Sequence, residues 1–189
     1  MTIAVTGATG HIGANLVRAL SQRGTSVRAL VHKSTTALEG LDVEMVYGDV
    51  CDLKSLLGCF SGVDTVYHLA GSIAITRRGD QRTEAVNYQG TANVIRACMD
   101  RRVRRLVHFS SIHAVVDPGR DSLVDETCQL ADGPQYATYD RSKARGERIV
   151  WDAIDAGLDA VVVAPTAVVG PYDYRPSFFG RILLALARG

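Results

Sequence analysis

A tyrosine and a lysine at helical spacing are the residues of this chain that most directly suggest proton transfer. Tyr139 and Lys143 are four residues apart in a segment with a helical pattern, so both side chains point the same way. A phenol with an ordinary pKa of about 10 is a poor base at neutral pH. We therefore expect the Lys143 ammonium group to lower the pKa of Tyr139 and make it a usable general acid/base. Tyr136 has Asp140 at its own fourth position and cannot replace Tyr139 in the pair.

A glycine-rich stretch near the start of the chain has the spacing of a phosphate-binding loop. In "TGATGHIG" (Thr6–Gly13) three glycines stand three residues apart, between a strand-like run and a helical pattern. Gly7 can adopt the backbone angles of a tight turn, Gly10 lets a pyrophosphate approach the main chain, and Gly13 lets the helix pack close to the strand. The helix N-terminus offers free N–H groups to the phosphates. The other predicted cofactor contacts in this loop are Thr9, His11 and Ile12.

The residues that follow the second predicted strand favour NADP over NAD. A site that prefers NAD usually places a carboxylate on the ribose 2′-hydroxyl, about 20 residues beyond the glycine loop. No acid occurs in "LVHKS" (Leu30–Ser34), where His32 and Lys33 stand instead. A 2′-phosphate carries up to about two negative charges, which Lys33, together with His32 or Arg28, could meet.

These residues fall at the ends of strands in an alternating pattern of strands and helices. The predicted strands are Ile3–Thr6, Ser26–His32, Val43–Tyr47, Val63–Ala70, Val103–Ser110 and Leu158–Ala164. The predicted helices are Ile12–Arg23, which Gly24 ends, Leu53–Phe60, Arg82–Arg101 and Tyr139–Ala156. The alternation predicts a doubly wound α/β fold, a Rossmann sheet of parallel strands with helices on both faces and ligands at one edge.

Length and composition are those of an ordinary globular protein. The 189 residues suit one domain, or one domain and part of another. With a net charge of +1, no global field attracts nucleic acid or a membrane surface. The basic run "RRVRR" (Arg101–Arg105) lacks interleaved aromatic residues, so we interpret it as a solvated connection that complements the C-terminus of the preceding helix.

The cysteine spacing and the N-terminal residues indicate whether the chain binds a metal ion and in which compartment it is expected. The four cysteines show no C-x-x-C spacing and no histidine cluster accompanies them, so we expect no metal site and reduced thiols in a cytoplasmic protein. His68 is interpreted as a packed core histidine. Met1 is followed directly by strand-like residues, and no apolar run reaches the length of a membrane span, so neither a signal peptide nor a membrane segment is expected.

Seven motifs follow one another in an order typical of a known superfamily. After the glycine loop they are "GDVCD" (Gly48–Asp52), "VYHLAG" (Val66–Gly71), "VNYQGTANVIRAC" (Val86–Cys98), "FSSIHAV" (Phe109–Val115), "YDRSKARGE" (Tyr139–Glu147) and "PTAVVGP" (Pro165–Pro171). The series resembles extended short-chain dehydrogenases/reductases of the NAD-dependent epimerase/dehydratase type, nearest to dihydroflavonol reductase and hydroxysteroid dehydrogenase-like members. The resemblance implies an NAD(P)-dependent oxidoreductase that moves a hydride between nicotinamide and a carbonyl or secondary alcohol.

The resemblance also assigns roles around the catalytic pair. Ser111, after the fifth predicted strand, aligns with the catalytic serine that hydrogen-bonds the substrate oxygen, whereas Ser110 is expected to point to the other side of the strand. Lys143 is expected to bind the nicotinamide ribose in addition to its action on the tyrosine. Asn87 resembles an asparagine that supports a water or backbone contact near the site. His113 is either a substrate contact or a loop histidine of no special role.

Further cofactor contacts are implied by the same resemblance. Asp49 is expected to accept a hydrogen bond from the adenine amino group, with Val50 packed on the ring. Pro165 and Thr166 flank the nicotinamide, although Ala164 stands where relatives often have arginine. The residues after the fourth strand that let the cofactor lie against the backbone are Leu69, Ala70 and Gly71.

The resemblance divides the chain into residues 1–170, a dinucleotide-binding domain, and residues 171–189, the start of a substrate-binding lobe. The lobe would begin with Tyr172, Asp173, Tyr174, Arg175 and Phe178. Because family members continue further, we expect either a truncated chain or a protein that is a nucleotide-binding remnant. Relatives dimerise through their two long helices, so we expect a homodimer that binds a small-molecule substrate and neither nucleic acid nor membrane.

Two other functions stay open at this point. Nucleotide-sugar epimerases and dehydratases use the same Tyr–Lys–Ser set but keep NAD tightly bound and return the hydride to the same substrate. The missing acid after the second strand counts against them. Non-catalytic dinucleotide sensors keep the glycine loop and lose the tyrosine and lysine, so the presence of Ser111, Tyr139 and Lys143 favours an enzyme.

Overall fold

A six-stranded parallel sheet forms the centre of the protein in a computed structural model that describes residues 1–73, 81–120 and 122–188. The strands are β1 (Thr2–Thr6), β2 (Ser26–Val31), β3 (Glu44–Tyr47), β4 (Thr65–His68), β5 (Arg105–Phe109) and β6 (Ala160–Val163). Their spatial order is β3-β2-β1-β4-β5-β6, and every neighbouring pair is parallel. The order reverses between β1 and β4, which makes the carboxyl edge there the natural place for a ligand.

Six α-helices accompany the sheet in the described part of the chain. They are α1 (His11–Gln22), α2 (Leu53–Cys59), α3 (Gln81–Glu84), α4 (Gly90–Asp100), α5 (Thr138–Asp155) and α6 (Phe178–Leu186). Gly24 ends α1 as predicted, because its positive φ of 69° lets the backbone N–H groups of Gly24 and Thr25 bond Ser21 and Leu20. None of the described helices has the length and apolarity that a bilayer crossing requires.

Two apolar cores lie on opposite faces of the sheet. On β1, Ala4 faces one core, while Ile3 and Val5 face the other. The first core contains buried residues of α2, α4 and α5, and the second contains Val17 of α1. This alternation along a buried strand covers both faces with helices, and the predicted doubly wound fold is confirmed.

The predicted helix Arg82–Arg101 is interrupted by one turn of different geometry. Residues Ala85–Gln89 are π-helical between α3 and α4, while Glu84 and Gly90 at its two ends keep α-helical angles. The chain therefore continues along one path with a local bulge, which the apolar periodicity did not reveal. Bulges of this kind occur frequently at functional sites.

Other differences from the predicted elements concern their ends. The strands β4, β5 and β6 are each shorter than predicted, although single hydrogen bonds such as Leu69 N–H to Thr6 and Ser110 N–H to Val163 extend just beyond their ends. The sequence pattern also missed α6, whose residues Phe179, Ile182 and Leu183 are at least 40% exposed. No residue of α6 belongs to either of the two cores formed by the described residues.

Candidate active site

The glycine loop forms a tight strand-to-helix connection. Gly7 has a φ of 67°, and a β-carbon on it would lie 2.5 Å from the backbone nitrogen of Ala70. A β-carbon on Gly13 would lie 2.1 Å from the Gly7 carbonyl oxygen, whereas one on Gly10 would meet only that oxygen, at 3.3 Å. Gly7 and Gly13 are thus required by close packing, and the space beside Gly10 is open.

The N-terminus of α1 follows this loop, and no side chain caps its first backbone N–H groups. Gly10 is the N-cap residue, no side chain caps the helix, and the first turn contains no acidic residue. The backbone N–H groups of His11, Ile12 and Gly13 therefore face the groove without an intrahelical partner. Such a terminus suits an anion.

At the end of β2, the predicted phosphate contacts have different surroundings. The imidazole Nε2 of His32 lies 3.3 Å from the Asp49 carboxylate, whereas the Lys33 side chain is exposed. Asp49 also accepts a hydrogen bond from the backbone N–H of Cys51. His32 is therefore occupied by Asp49, and Lys33 is the exposed cation of this strand end.

The suggestion that Arg28 could meet a 2′-phosphate is wrong. Its guanidinium bonds the Glu44 carboxylate at 2.8 Å and the carbonyl oxygens of Cys59 and Ser61 at 2.9 and 2.8 Å. Cys59 ends α2, which leads into the beginning of β4. Arg28 thus points toward the edge where strands begin, away from the ligand edge.

A small recess beside the end of β2 was not predicted. Its volume is about 140 Å³, and it is lined by Thr9, Ser34, Thr36, Ala37, Tyr174 and Arg175. The recess joins the glycine loop, the residues after β2 and the segment after β6. Its lining residues carry four hydroxyl groups and a guanidinium, and none of them carries a carboxylate.

The segment that was expected to begin the substrate-binding lobe lies across α1. The guanidinium of Arg18 bonds the Tyr174 hydroxyl at 2.9 Å and stacks over the Tyr172 ring, 4.2 Å from its centre. Asn15 donates to the carbonyl oxygen of Pro171. Tyr172 and Tyr174 are therefore held at the β2 half of the groove rather than beside Tyr139.

Ser111 and Tyr139 meet at the other half of the groove. Ser111 is buried at the end of β5, where it also accepts a hydrogen bond from the backbone N–H of His113 and caps the short 3₁₀ turn Ile112–Ala114. Its side chain lies close enough to the phenol of Tyr139, in the first turn of α5, to lower the pKa of that phenol. The structure brings these two predicted residues together.

The predicted direction of the Tyr139 pKa is wrong for the protein without cofactor. Burial of the phenol raises the pKa, the hydrogen bond with Ser111 lowers it by less, and the nearby Asp140 carboxylate raises it. The phenol is thus protonated at neutral pH, because loss of solvation outweighs the other contributions.

Lys143 is one helical turn along α5 from Tyr139, and its side chain is buried. The Nζ atom donates to the carbonyl oxygen of Phe109 at 2.7 Å, and the residue is 6% exposed. Burial lowers the pKa of Lys143 to about 8, against the Glu147 carboxylate, which raises it. The lysine is therefore held against the last residue of β5 and titrates close to neutrality.

Asn87, in the π-helical turn, binds the residues around Lys143. Its side-chain amide exchanges two hydrogen bonds with the backbone of Ser72 and donates to the Ser142 hydroxyl at 2.9 Å. A β-carbon on Gly71 would lie 3.5 Å from Asn87 Oδ1 and 4.0 Å from Lys143 Nζ. The end of β4, the π-helical turn and α5 therefore converge at one point, where the small Gly71 keeps the space open.

Sequence reasoning missed the role of Glu147. Its carboxylate is buried and accepts hydrogen bonds from Ser110 Oγ at 2.5 Å and from the indole N–H of Trp151 at 3.2 Å. Ser110, which was expected to point to the other side of the strand from Ser111, reaches α5 through this bond. The i, i+4 continuation from Lys143 to Glu147 was the available signal.

The remaining histidines divide between core and surface. His68 is buried between the hydroxyls of Thr6 and Thr91, at 2.7 and 3.1 Å, and burial lowers its pKa to about 3, which confirms a core histidine. His113 is exposed, and its Nδ1 lies 3.5 Å from Asp140 with its ring edge toward Tyr139. His113 therefore borders the site, and both of its predicted roles stay predictions.

The other predicted cofactor contacts lie along the same edge. Val50 is 6% exposed and packs in the core, so only a small part of it faces the groove. The backbone N–H groups of Leu69 and Ala70 bond Thr6. The carbonyl of Pro165 accepts from Ile112, with Thr166 exposed beside it. In the described ranges no three His, Cys, Asp or Glu side chains are grouped to hold a metal ion.

Comparison with known proteins identifies similar chains. A family model described as the NAD dependent epimerase/dehydratase family matches residues 3–189. Sterol demethylase protein B of Methylococcus capsulatus is 42% identical over 193 residues, covering 100% of this chain and 58% of that protein. The putative dihydroflavonol 4-reductase of Synechocystis is 32% identical over 186 residues, covering 97% and 54%.

A solved structure extends the comparison to three dimensions. DesIV, a dTDP-glucose 4,6-dehydratase from Streptomyces venezuelae with NAD bound, matches with a TM-score of 0.85 and 25% identity, covering 100% of this chain and 63% of that one. The chain thus spans somewhat more than half the length of the curated relatives described above. The predicted family resemblance is confirmed.

Proposed function

Because the chain belongs to the NAD dependent epimerase/dehydratase family, we propose that it is the nucleotide-binding and proton-transferring part of an oxidoreductase. The proposed reaction moves a hydride between a nicotinamide cofactor and a carbonyl or secondary alcohol. The proposed cofactor is NADP. The homologues named as reductases support this direction of chemistry.

The arrangement at the end of β5 is the observation that carries the proposal. The Ser111 side chain lies beside the phenol of Tyr139, and Lys143 is buried one helical turn along α5. In the sheet, β1, β4 and β5 are neighbours, so the glycine loop after β1 and this trio share one groove. A proton donor therefore stands beside the place where the fold holds dinucleotides.

The residues of the groove fit a dinucleotide. The uncapped N-terminus of α1 and the open space at Gly10 suit the pyrophosphate, and Gly71 with the buried Lys143 suits the nicotinamide ribose. When bound, the nicotinamide supplies or accepts the hydride, which no side chain of this chain can do.

Proton transfer follows from the state of Tyr139. Since burial raises the pKa of this phenol, it carries its proton at neutral pH and can donate it to an oxygen whose carbon receives a hydride. The Ser111 hydroxyl orients that oxygen, and the Lys143 ammonium group stabilises the phenolate left on Tyr139. In the alcohol-oxidising direction the phenolate takes the proton back.

The preference for NADP is argued from the β2 half of the groove. Lys33 is exposed after the strand, and the nearby recess is lined by Ser34, Thr36 and Arg175 without a carboxylate. A phosphate oxygen is matched by cations and hydroxyl donors, whereas a ribose 2′-hydroxyl in an NAD site usually meets a carboxylate. Asp49, the acid at this side of the groove, is paired with His32.

One observation favours a second function. The similarity to a dTDP-glucose dehydratase with bound NAD supports chemistry in which the hydride returns to the same substrate. The two functions differ in cofactor handling. A dehydratase or epimerase retains NAD through purification and shows no net cofactor turnover.

The test uses the full-length protein and two cofactors. Titration of NADPH and NADH is followed by a screen of ketones and aldehydes for oxidation of the tighter-binding cofactor. The proposal predicts tighter NADPH binding and net oxidation with at least one carbonyl compound. Protein that purifies with NAD and oxidises neither cofactor would support the second function instead.

A further inference from the structure

Three residues of α5 at successive helical turns contact three consecutive residues at the end of β5. Tyr139 lies beside the Ser111 side chain, Lys143 donates to the Phe109 carbonyl oxygen, and Glu147 accepts from the Ser110 hydroxyl. Their i, i+4 spacing places them on one side of the helix. The strand end that carries the catalytic serine is therefore attached to α5 at three points, and Glu147 is the one for which the proposed reaction has no use.

Burying the Glu147 carboxylate costs solvation free energy unless hydrogen bonds and an opposite charge compensate for it. The residue is 7% exposed, with one oxygen on Ser110 at 2.5 Å and the other on the Trp151 indole at 3.2 Å. A glutamine could also bond both partners, with its carbonyl oxygen accepting from the indole and its amide N–H donating to Ser110 Oγ. The negative charge itself requires a positive partner, and the buried cation one turn away is Lys143.

The groups that face Lys143 show why a carboxylate matters there. From the sheet, His68 on β4 and His108 on β5 are both fully buried, and burial and Lys143 lower the pKa of each, so both are neutral. Asn87 of the π-helical turn contributes a neutral amide, and Tyr139 a protonated phenol. Among the described groups around the ammonium, Glu147 is the source of negative charge that raises the pKa of Lys143.

We infer that Glu147 is a positioning residue of the proposed active site, which keeps Lys143 in its ammonium form and fixes the Ser110–Ser111 strand end against α5. The inference rests on the proposed function for its effect on turnover, but the charge of Lys143 can be measured without any substrate. Loss of the Glu147 charge leaves the ammonium in a buried, otherwise neutral environment, so Lys143 gives up its proton at lower pH.

The test compares the wild type with Glu147→Gln, which can keep hydrogen bonds to both Ser110 and Trp151 and removes the charge. In the full-length protein, lysine labelled with ¹³C is titrated by NMR, and Lys143 is assigned by its absence in Lys143→Arg. The resonance should titrate near pH 8 in the wild type and at lower pH in Glu147→Gln. In the carbonyl-reducing direction, activity should fall as pH rises through the Lys143 pKa, because the ammonium charge is lost.

The pH profile provides the readout that a merely structural role would not change. For Glu147→Gln, the ratio of the rate at about pH 8 to the rate at about pH 6 should fall by about threefold or more, with cofactor affinity at the lower pH retained. Asp152→Asn, the same chemical change at an exposed position of α5, should leave both the titration and the profile as in the wild type. An unchanged Lys143 titration in folded Glu147→Gln would overturn the inference.

If Glu147→Gln does not fold, the titration of Lys143 in the wild-type protein still tests the inference. A neutral Lys143 amine at pH 7 in the wild-type protein would show that Glu147 does not maintain the ammonium form, and the inference would be wrong. If the protein reduces no carbonyl compound but the NMR titration shifts as described, the proposed function fails while the role of Glu147 on Lys143 stands.

Discussion

Lys143 carries a buried charge, and its contacts explain the expected effect of replacing it on turnover and cofactor affinity. The ammonium group contacts the Phe109 carbonyl and lies near Gly71, the proposed position of the nicotinamide ribose. Burial lowers its pKa to about 8, so a substantial part of its charge is present at neutral pH. The proposal therefore gives this one side chain an action on both the cofactor and Tyr139.

Lys143→Ala should therefore reduce turnover and cofactor affinity together. Turnover should fall because the phenolate of Tyr139 loses its stabilising charge, and NADPH binding should weaken because the ribose loses a donor. Fluorescence titration of NADPH and steady-state rates provide the measurements, with the exposed Lys54→Ala as the matched control. Unchanged NADPH affinity in Lys143→Ala would show that the ribose contact is wrong.

Lys33→Glu should reverse the cofactor preference at the other half of the groove. A carboxylate there repels a 2′-phosphate and can accept a hydrogen bond from a 2′-hydroxyl, so the ratio of NADPH to NADH affinity should fall by about tenfold or more. Lys54→Glu makes the same charge change on α2 and should leave the ratio unaltered. If Lys33→Glu also leaves it unaltered, discrimination lies with other residues of the recess.

At the scale of elements, the connection from β1 to α1 depends on glycine packing. Gly13→Ala would place a β-carbon 2.1 Å from the Gly7 carbonyl and 2.9 Å from the Ala8 Cα, both backbone atoms that cannot move aside without shifting the loop. We expect a loss of about 1–3 kcal/mol in the free energy of unfolding. The displaced loop should also bind NADPH much more weakly.

Gly58→Ala is the control for this change. Gly58 lies in α2, and a β-carbon on it would meet nothing within 4 Å, so alanine should be neutral or stabilise the protein by up to about 1 kcal/mol. Urea unfolding and NADPH titration measure both variants. Equal behaviour of Gly13→Ala and Gly58→Ala in both assays would refute the packing argument.

The elements that local sequence patterns could predict are those whose signal lies within a few residues. The glycine loop requires three glycines between a strand and a helix, and Tyr139 with Lys143 requires one helical turn, so both followed from spacing. The family motifs added Ser111, which the structure places against Tyr139.

Other features depend on how elements pack and could not be seen in the sequence. Ser110 meets Glu147 because α5 runs along the end of β5, and the pKa of Tyr139 rises because that packing removes water. The π-helical turn around Asn87 disturbs no apolar periodicity. Arg175 reaches the recess beside β2 only because Arg18 holds the preceding tyrosines on α1.

At the scale of the whole molecule, the long helices α4 and α5 are the proposed dimer surface. They pack side by side on one face of the sheet, and on their outer side Arg145 forms an ion pair with Glu84 and stacks over the Tyr88 ring. Trp151 is 42% exposed on the same helix. An aromatic and arginine-containing surface of this kind is typical of protein interfaces.

The homodimer is tested by light scattering of the full-length protein. The wild type should have twice the monomer mass, and Ala92→Glu on α4 should shift the population toward monomer by placing charge in the interface. Ala19→Glu, the same change at an exposed position of α1, should remain dimeric. A wild type that stays monomeric at high concentration would remove this prediction.

Proton donation by Tyr139 to a hydride-accepting carbonyl is the central claim, and Tyr139→Phe tests it most directly. With NADPH and a reducible carbonyl substrate, the full-length variant should lose turnover by about 10²- to 10⁴-fold. Its affinity for NADPH should stay within a few-fold of the wild type, since the phenol is not a proposed cofactor contact. Tyr136→Phe, three residues earlier, should retain turnover. Normal turnover in Tyr139→Phe would contradict the claim.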